Sequence, residues 1–350
     1  MNNKFIRYAK QNIDADDIKS VVKVLQNDIL TQGAILNNFE KQIAKYIKAK
    51  YVICVGNGTQ ALHLSIKSLN LNKSDIVVVP AISFVASANC ALYEGLKIVF
   101  CDVNKNTGLL DEEYLENLIK KDLKKKIKAI IPVSISGQVP NMEKIKKISK
   151  KNNIKIVLDG CHALGSKFKN SRIGSCKYED ISTFSFHPIK NITTCEGGAI
   201  ATNNKLIANK IRILRNHGIE RMNSFDYKIN NLGYNYRLNE IQSALGISQL
   251  KKLEKQIIIK KNIARYYDKL INKKYNMHMS IHSRQKDNSS SWHLYQTQID
   301  FKKLSINKKK LMQYLLDNNI ETKINYKPIY KFELFKKLYR NINLSNSEYF

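Results

Sequence analysis

The stretch YVICVGNGTQALHLSIKSLNLNKSDIVVVP, residues 51–80, decides the fold. Its first five residues form an apolar run with no polar alternation, as expected of a strand buried on both faces. Gly56 and Gly58 mark a tight turn, TQALHLSIKSL carries helical apolar spacing, and DIVVVP is a second apolar run. Strand, helix and strand in this order form the unit from which parallel sheets are built. Outward from it the alternation continues through KIVFCDV (97–103), AIIPVSI (129–135) and KIVLD (155–159), separated by helical segments such as NMEKIKKISKKN (141–152). The chain is therefore predicted to be an α/β protein with a largely parallel sheet.

Upstream, DADDIKSVVKVLQNDIL (14–30) predicts a helix with an acidic first turn, and ILTQGAILNNFEKQIAKYIKAK (29–50) a Gly-containing loop and a second helix. Downstream, ISTFSF (181–186) and GGAIATN (197–203) follow each other closely as strands. A long helix is predicted over 237–270, with Leu238, Ile241, Leu245 and Leu250 on one face. The remainder, with a strand in WHLYQTQI (292–299) and a helix in KKKLMQYLLDNN (308–319), suits a smaller α/β domain. We expect a large domain over 1–250 and a small one over 251–350. The Asn/Ser-rich run RQKDNSSS (284–291) reads as a surface loop.

The 350 residues suffice for a large core and a smaller one. Lys and Arg number 59 against 29 Asp and Glu, a formal charge of +30 that invites a nucleic-acid or membrane reading. The basic residues are mostly Lys and are interleaved with Ile and Asn along the whole chain; the densest run, KKDLKKKIK (120–128), ends a predicted helix. Phosphate tracking needs a coherent stripe, usually with Arg, so a solvated Lys-rich surface and no nucleic-acid partner are expected. The six cysteines lie far apart, with neither a C-x-x-C pair nor zinc-like His spacing, which predicts no metal site and a reduced protein of the cytoplasm. MNNKFIRYAKQNIDADDIKSV, at the N-terminus, lacks a signal-peptide core, and no window approaches the ~18 apolar residues of a membrane span. No membrane association is expected.

In sheets of this type ligands bind beyond the carboxyl ends of the strands, and three strand ends carry suitable groups. Gly58 and Thr59 open a helix after the first strand, where free N–H groups and a hydroxyl make an anion site; the residues alone also allow a plain tight turn. Asp159 ends a buried strand and is followed by His162, either as the partner of a cationic heterocyclic nitrogen or as a turn cap beside a core histidine. Lys190 lies in a Pro-containing turn preceded by Ser185 and His187 and followed by Thr193 and Thr194. Its neighbours are apolar or hydroxylic, so desolvation would lower its basicity toward Schiff-base competence. A phosphate cup, a carboxylate and a withdrawn amine together are what pyridoxal 5'-phosphate requires.

SFHPIKNITTCEGGAIATN (185–203) resembles the lysine signature of the DegT/DnrJ/EryC1/StrS sugar aminotransferases. NGTQAL (57–62), PAISFVASANCAL (80–92), LDGCHALGS (158–166), RNHGI (215–219) and NYRLNEIQSALGISQL (235–250) match that family's other blocks in order. The resemblance implies a fold type I pyridoxal phosphate enzyme, with a mixed seven-stranded sheet, a small C-terminal domain and a homodimer sharing its active sites. It implies that Lys190 carries the cofactor and shuttles the proton, that Asp159 pairs with the pyridine nitrogen, that His162 lies beside the ring and that Phe84 stacks on it. Gly58, Thr59 and Ser185 would hold the phosphate, joined by Asn235 from the other subunit. Tyr8, Leu30, Thr31, His187, Tyr326, Lys327, Pro328 and Tyr330 would approach the nucleotide sugar. RYAKQNID (7–14), ILTQG (29–33) and NYKPIYKFELFKKL (325–338) direct the resemblance to members that use glutamate to aminate C4 of a UDP-linked 4-keto-6-deoxy sugar for pseudaminic acid biosynthesis. Another nucleotide sugar of the family, or a member without turnover, remain the alternatives. A sister group with histidine in place of the lysine performs 3-dehydration, and Lys190 argues against it. Two departures stand out: Cys195 occupies a position where the family commonly has Gly or Ala, and family members continue beyond the equivalent of Phe350 through a further strand and helix.

Overall fold

The computed structural model describes residues 5–223, 225–340 and 342–350; Met1 to Lys4 of the N-terminal reading lie outside them. Helices α1 (Ala15–Leu25) and α2 (Ala34–Ile47) lead into β1 (Tyr51–Val55), α3 (Gly58–Ser68), β2 (Ile76–Pro80), α4 (Ala86–Leu92), β3 (Lys97–Cys101), α5 (Glu112–Lys121), β4 (Ile127–Ile130), α6 (Met142–Asn152) and β5 (Lys155–Asp159). Short strands β6 (Lys167–Phe168) and β7 (Ser171–Arg172) precede β8 (Ile181–Ser185) and β9 (Gly198–Thr202). Then come α7 (Lys205–Arg215), the hairpin β10 (Ile219–Arg221) and β11 (Tyr227–Ile229), and the long α8 (Glu240–Leu270). The last part holds β12 (Met279–Ile281), β13 (Asn288–Ser289), β14 (Thr297–Ile299), α9 (Lys308–Asp317), α10 (Glu333–Leu338) and α11 (Ser345–Tyr349).

The sheet has seven strands in the order β1-β9-β8-β5-β4-β2-β3, with β9 antiparallel to both neighbours and the other pairings parallel. Strand periodicity divides the core: Val52, Cys54 and Val78 face the layer containing α2 and α6, whereas Ile53, Val55, Val77 and Val79 face the layer containing α3 and α7. Helix starts draw on the chain's asparagines. Asn57, Asn141, Asn204, Asn239 and Asn307 each accept a backbone N–H in the first turn of the helix they cap.

Several sequence expectations change. Leu238 precedes the cap of α8 and Ile241 is only half-buried, so the buried face of that helix is carried by Ala244, Leu245, Leu250 and Leu253. In AIIPVSI the strand ends at Ile130; the chain then turns through Ser136, which has a φ of 57°. Of WHLYQTQI only Thr297–Ile299 is strand. RQKDNSSS is not simply a surface loop: β13 pairs with β6, and Ser291 is fully buried. A division at residue 250 falls inside α8, and the final segment returns to the sheet. There Ile329, Tyr330, Phe335 and Leu344 join the second core layer, and the buried Asp102 accepts hydrogen bonds from the backbone of Asn346 and Ser347. These contacts are long-range, and local patterning carries no signal for them.

Gly246 sits mid-helix where α8 crosses α2, and an added Cβ there would run into the ring of the fully buried Phe39. Ala would add about 1 kcal/mol of helix propensity, but overpacking a rigid aromatic costs about 1–3 kcal/mol. Gly246→Ala is therefore expected to lower the urea midpoint of unfolding despite the better helix former.

Candidate active site

All the parallel strands end at one edge of the sheet, and the loops leaving β1, β2, β5 and β8 meet there. The closeness depends on glycines: a Cβ on Gly58 would lie 2.9 Å from the Ser185 Cβ, and one on Gly198 would lie 2.5 Å from the Asn57 carbonyl oxygen. The N-terminus of α3 is thereby set against the end of β8. Asn57 caps the Gln60 N–H at 2.8 Å, while the N–H groups of Gly58 and Thr59 have no partner among the described residues. Two free amides, the positive end of an eleven-residue helix and the Ser185 hydroxyl form a cradle suited to a phosphate.

Asp159 is 5 % exposed. Its Oδ2 accepts from Ser87 Oγ at 2.6 Å and its Oδ1 from the Cys161 N–H at 3.1 Å. These donors stabilise the carboxylate and leave lone pairs for a further N–H. Lys190 closes the turn after β8, its N–H donating to the His187 carbonyl at 2.9 Å. Burial lowers its basicity from the ordinary 10.5, partly offset by the Asp159 carboxylate. Burial pushes the Cys161 thiol well up, so that sulfur stays protonated.

His162 is buried among aromatic groups, its ring 4.4 Å from that of His293 and stacked on Tyr326 at 6.2 Å. Burial, aided by Lys190, drives its imidazole well below the usual range, so it is neutral. Nδ1 accepts the Ser136 N–H at 3.3 Å, which puts the proton on Nε2, 3.4 Å from the Tyr326 hydroxyl. Asn325 donates to the Tyr8 hydroxyl at 2.6 Å, bringing the N-terminal segment to the same cleft. Phe84 is 56 % exposed at the rim with its ring 6.3 Å from Tyr326.

One chain does not gather every residue singled out in the sequence. Leu30 and Thr31 lie at the start of α8, where the Leu30 carbonyl accepts the Glu240 N–H and Thr31 bridges Asn239. Asn235 is exposed beside Asn216, and His187 is also exposed. Lys327 lies over the Phe332 ring and Pro328 precedes a short 3-10 turn. Tyr330 points into the second core layer, packed on Phe100 with its hydroxyl donating to Glu348. Cys195 holds a left-handed φ of 65°, a conformation that favours glycine. Ser87, Ser136, Ser291, His293 and Lys260 were missed by sequence reasoning; only the adjacency of Asn191 to Lys190 offered a signal. Among the described residues there is no cluster of metal-ligating side chains, and no helix is long and apolar enough to cross a membrane.

The desolvation of Lys190 is directly testable. In the chain without cofactor, pH-dependent acylation read by mass spectrometry should titrate Lys190 below the ordinary lysine value of 10.5. A midpoint at or above that value would contradict the site described.

Residues 11–350 match the model of the DegT/DnrJ/EryC1/StrS aminotransferase family. The chain is 40% identical over 345 residues to the Campylobacter jejuni UDP-4-amino-4,6-dideoxy-N-acetyl-beta-L-altrosamine transaminase, covering 99% of this chain and 90% of that one. The enzyme of the same name from Helicobacter pylori is 35% identical over 351 residues, again covering 99% and 90%. Among solved structures, Helicobacter pylori PseC, an aminotransferase involved in the biosynthesis of pseudoaminic acid, superposes with a TM-score of 0.92 at 34% identity, over 99% of this chain and 91% of that one. The pyridoxal phosphate form of a Streptococcus pneumoniae sugar aminotransferase, Spr1654, gives a TM-score of 0.87 at 27% identity over 95% and 88%. The cradle at α3, the buried Asp159 and the withdrawn Lys190 fit pyridoxal phosphate, and the fold is that of its sugar aminotransferases; the chain belongs to the DegT/DnrJ/EryC1/StrS aminotransferase family.

Proposed function

We propose that the chain transfers an amino group from glutamate to the C4 keto group of a UDP-linked 2-acetamido-2,6-dideoxy-hex-4-ulose, giving a UDP-4-amino-4,6-dideoxy sugar for pseudaminic acid biosynthesis. One observation carries the reading: a desolvated Lys190 shares a cleft with the buried Asp159 and the open N-terminus of α3, in a chain 40% identical to a transaminase named for such a sugar.

When bound, pyridoxal phosphate supplies an electron-accepting ring and an aldehyde that exchanges amino groups. The chain's own residues bind, orient and move protons. Gly58, Thr59 and Ser185 take the phosphate at the end of α3. Asp159, held by Ser87 and the Cys161 N–H, accepts the pyridine N–H and keeps that nitrogen protonated. Neutral His162 would border the ring without adding a competing charge, and Phe84 at the rim would lie against it. Lys190 would be the base whose amine, freed from hydration, moves the proton at the sugar C4. Tyr8 and Tyr326 reach toward the sugar together with His187, Lys327 and Pro328; Tyr330 contributes by holding that segment in the core.

The site is completed, in this reading, by a second copy of the chain. Phe225, Met222, Tyr227 and Leu232 around the β10–β11 hairpin are exposed, with Phe225 at 99%. An apolar hairpin is poorly suited to water, and its docking on a partner subunit would carry Asn235 to that subunit's phosphate cradle and bring Leu30 and Thr31 toward the shared cleft. Such an enzyme works in the cytoplasm, where nucleotide sugars and glutamate meet and its free cysteines stay reduced.

Supplied with pyridoxal phosphate and glutamate, the protein should aminate the UDP-4-keto sugar of the L-arabino series in preference to the D-xylo series, with products identified by mass spectrometry and NMR. Lys190→Ala should reduce turnover by at least ~100-fold. Preference for the D-xylo series would reassign the substrate, and undiminished turnover by Lys190→Ala would overturn the mechanism.

A further inference from the structure

Asn191, the residue after Lys190, is tied at both ends of its amide. Its Nδ2 donates to Ser291 Oγ at 2.8 Å and to the Leu164 carbonyl at 3.0 Å, and its Oδ1 accepts from Lys260 Nζ at 2.9 Å. The reverse orientation would turn the amide NH2 toward an ammonium, so the hydrogen bonding fixes one rotamer. Ser291 is itself anchored: its hydroxyl reaches the His162 carbonyl at 3.3 Å, and its N–H donates to Ser166 Oγ at 2.9 Å. The same side chains thus hold the Lys190 turn and the His162 loop.

Lys260 is the unusual member. It stands on α8, twenty residues from the helix start, and pairs with no carboxylate among the described residues. Burial alone pulls its ammonium down to about 8. The charged and titratable groups around it are basic: His293 is influenced by Lys260, Lys190, His162 and His187 together. A lysine withdrawn from water without an anion lowers folding stability, so packing gives no reason for it. Among the described residues its one polar partner is Asn191.

We infer that Lys260 and Ser291 are positioning residues which, acting through Asn191, fix the turn that carries Lys190 and keep its amine beside Asp159 and His162. The inference rests on the reading of Lys190 as the cofactor-bearing amine. It adds a link from α8, the helix that also borders Leu30 and Thr31, to the reactive turn. Neither residue is placed in contact with cofactor or substrate.

The test is a double-mutant cycle with Lys260→Met, Asn191→Ala and the pair, alongside the conservative Lys260→Arg, all checked for folding by circular dichroism. The first readout needs no cofactor: the pH midpoint of Lys190 acylation by mass spectrometry. Each single variant should move that midpoint up by about half a pH unit or more, toward the ordinary 10.5. The double variant should move it no further than either single, because both changes break one path. Lys260→Arg keeps the donor and should stay near wild type. In the enzyme loaded with pyridoxal phosphate, kcat should fall ~10–100-fold in the single variants, with the sugar KM changed less than ~3-fold. An unmoved midpoint in both single variants, or shifts that add in the double, overturns the inference. Should Lys260→Met fail to fold, Asn191→Ser, which removes the amide but is small and polar, reads the same midpoint and decides in the same way. Absence of a yellow cofactor band in the wild type would overturn the cofactor reading alone, since the labelling readout is independent of it.

Discussion

An amine withdrawn from water must lose its proton or find an anion, and that constraint organises the centre of this molecule. Lys190 is withdrawn by the turn after β8, and the Asp159 carboxylate nearby offsets only part of the cost. The carboxylate is itself buried, and it remains an acceptor because Ser87 and the Cys161 N–H replace the water it has lost. Neither group belongs in an apolar interior for the sake of stability. Their joint presence at the carboxyl edge of a parallel sheet marks the place where the fold gives up stability for chemistry.

The rest of the structure serves that edge. The single antiparallel strand β9 returns the chain so that Gly198 passes under Asn57, which permits the start of α3 to close on Ser185. The segment 288–293 passes from β13 to a fully buried Ser291 and a His293 packed on His162, forming a floor from a distant part of the chain. The C-terminal residues are drawn back by Asp102, and Ile329 donates to the Ala81 carbonyl at 2.8 Å, which places Tyr326 over His162. Two hydrophobic layers supply the stability against which these polar features are set.

The parts legible in the sequence are those governed by local rules. Continuous apolar runs identified β1, β2, β3 and β5, because strands buried on both faces need no alternation. Gly58, Thr59 and Asp159 were legible because each ends a strand or begins a helix, where side chains face a ligand instead of a core, and Lys190 because its neighbours in the turn after β8 are apolar or hydroxylic. The motif resemblance supplied the roles proposed for Phe84 and Asn235, which patterning alone would not have distinguished. Ser87, Ser291 and Lys260 stayed hidden for one physical reason: each acts through a hydrogen bond to a residue far away in sequence. The polar run 284–291 has the composition of a solvated loop and is drawn inward only by partners such as Ser166 and Asn191. Cys195 was legible as a departure, but the left-handed backbone it adopts emerged only from the fold.

The central claim is that Asp159 holds a protonated pyridine nitrogen across the cleft from Lys190. It is tested most directly by binding pyridoxal phosphate carrying nitrogen-15 in the ring and recording the nitrogen chemical shift in the wild type and in Asp159→Asn. The account predicts the shift of a protonated ring nitrogen in the wild type and of an unprotonated one in the variant at neutral pH. A ring nitrogen unprotonated in the wild type, or one whose protonation is indifferent to Asp159, would contradict it.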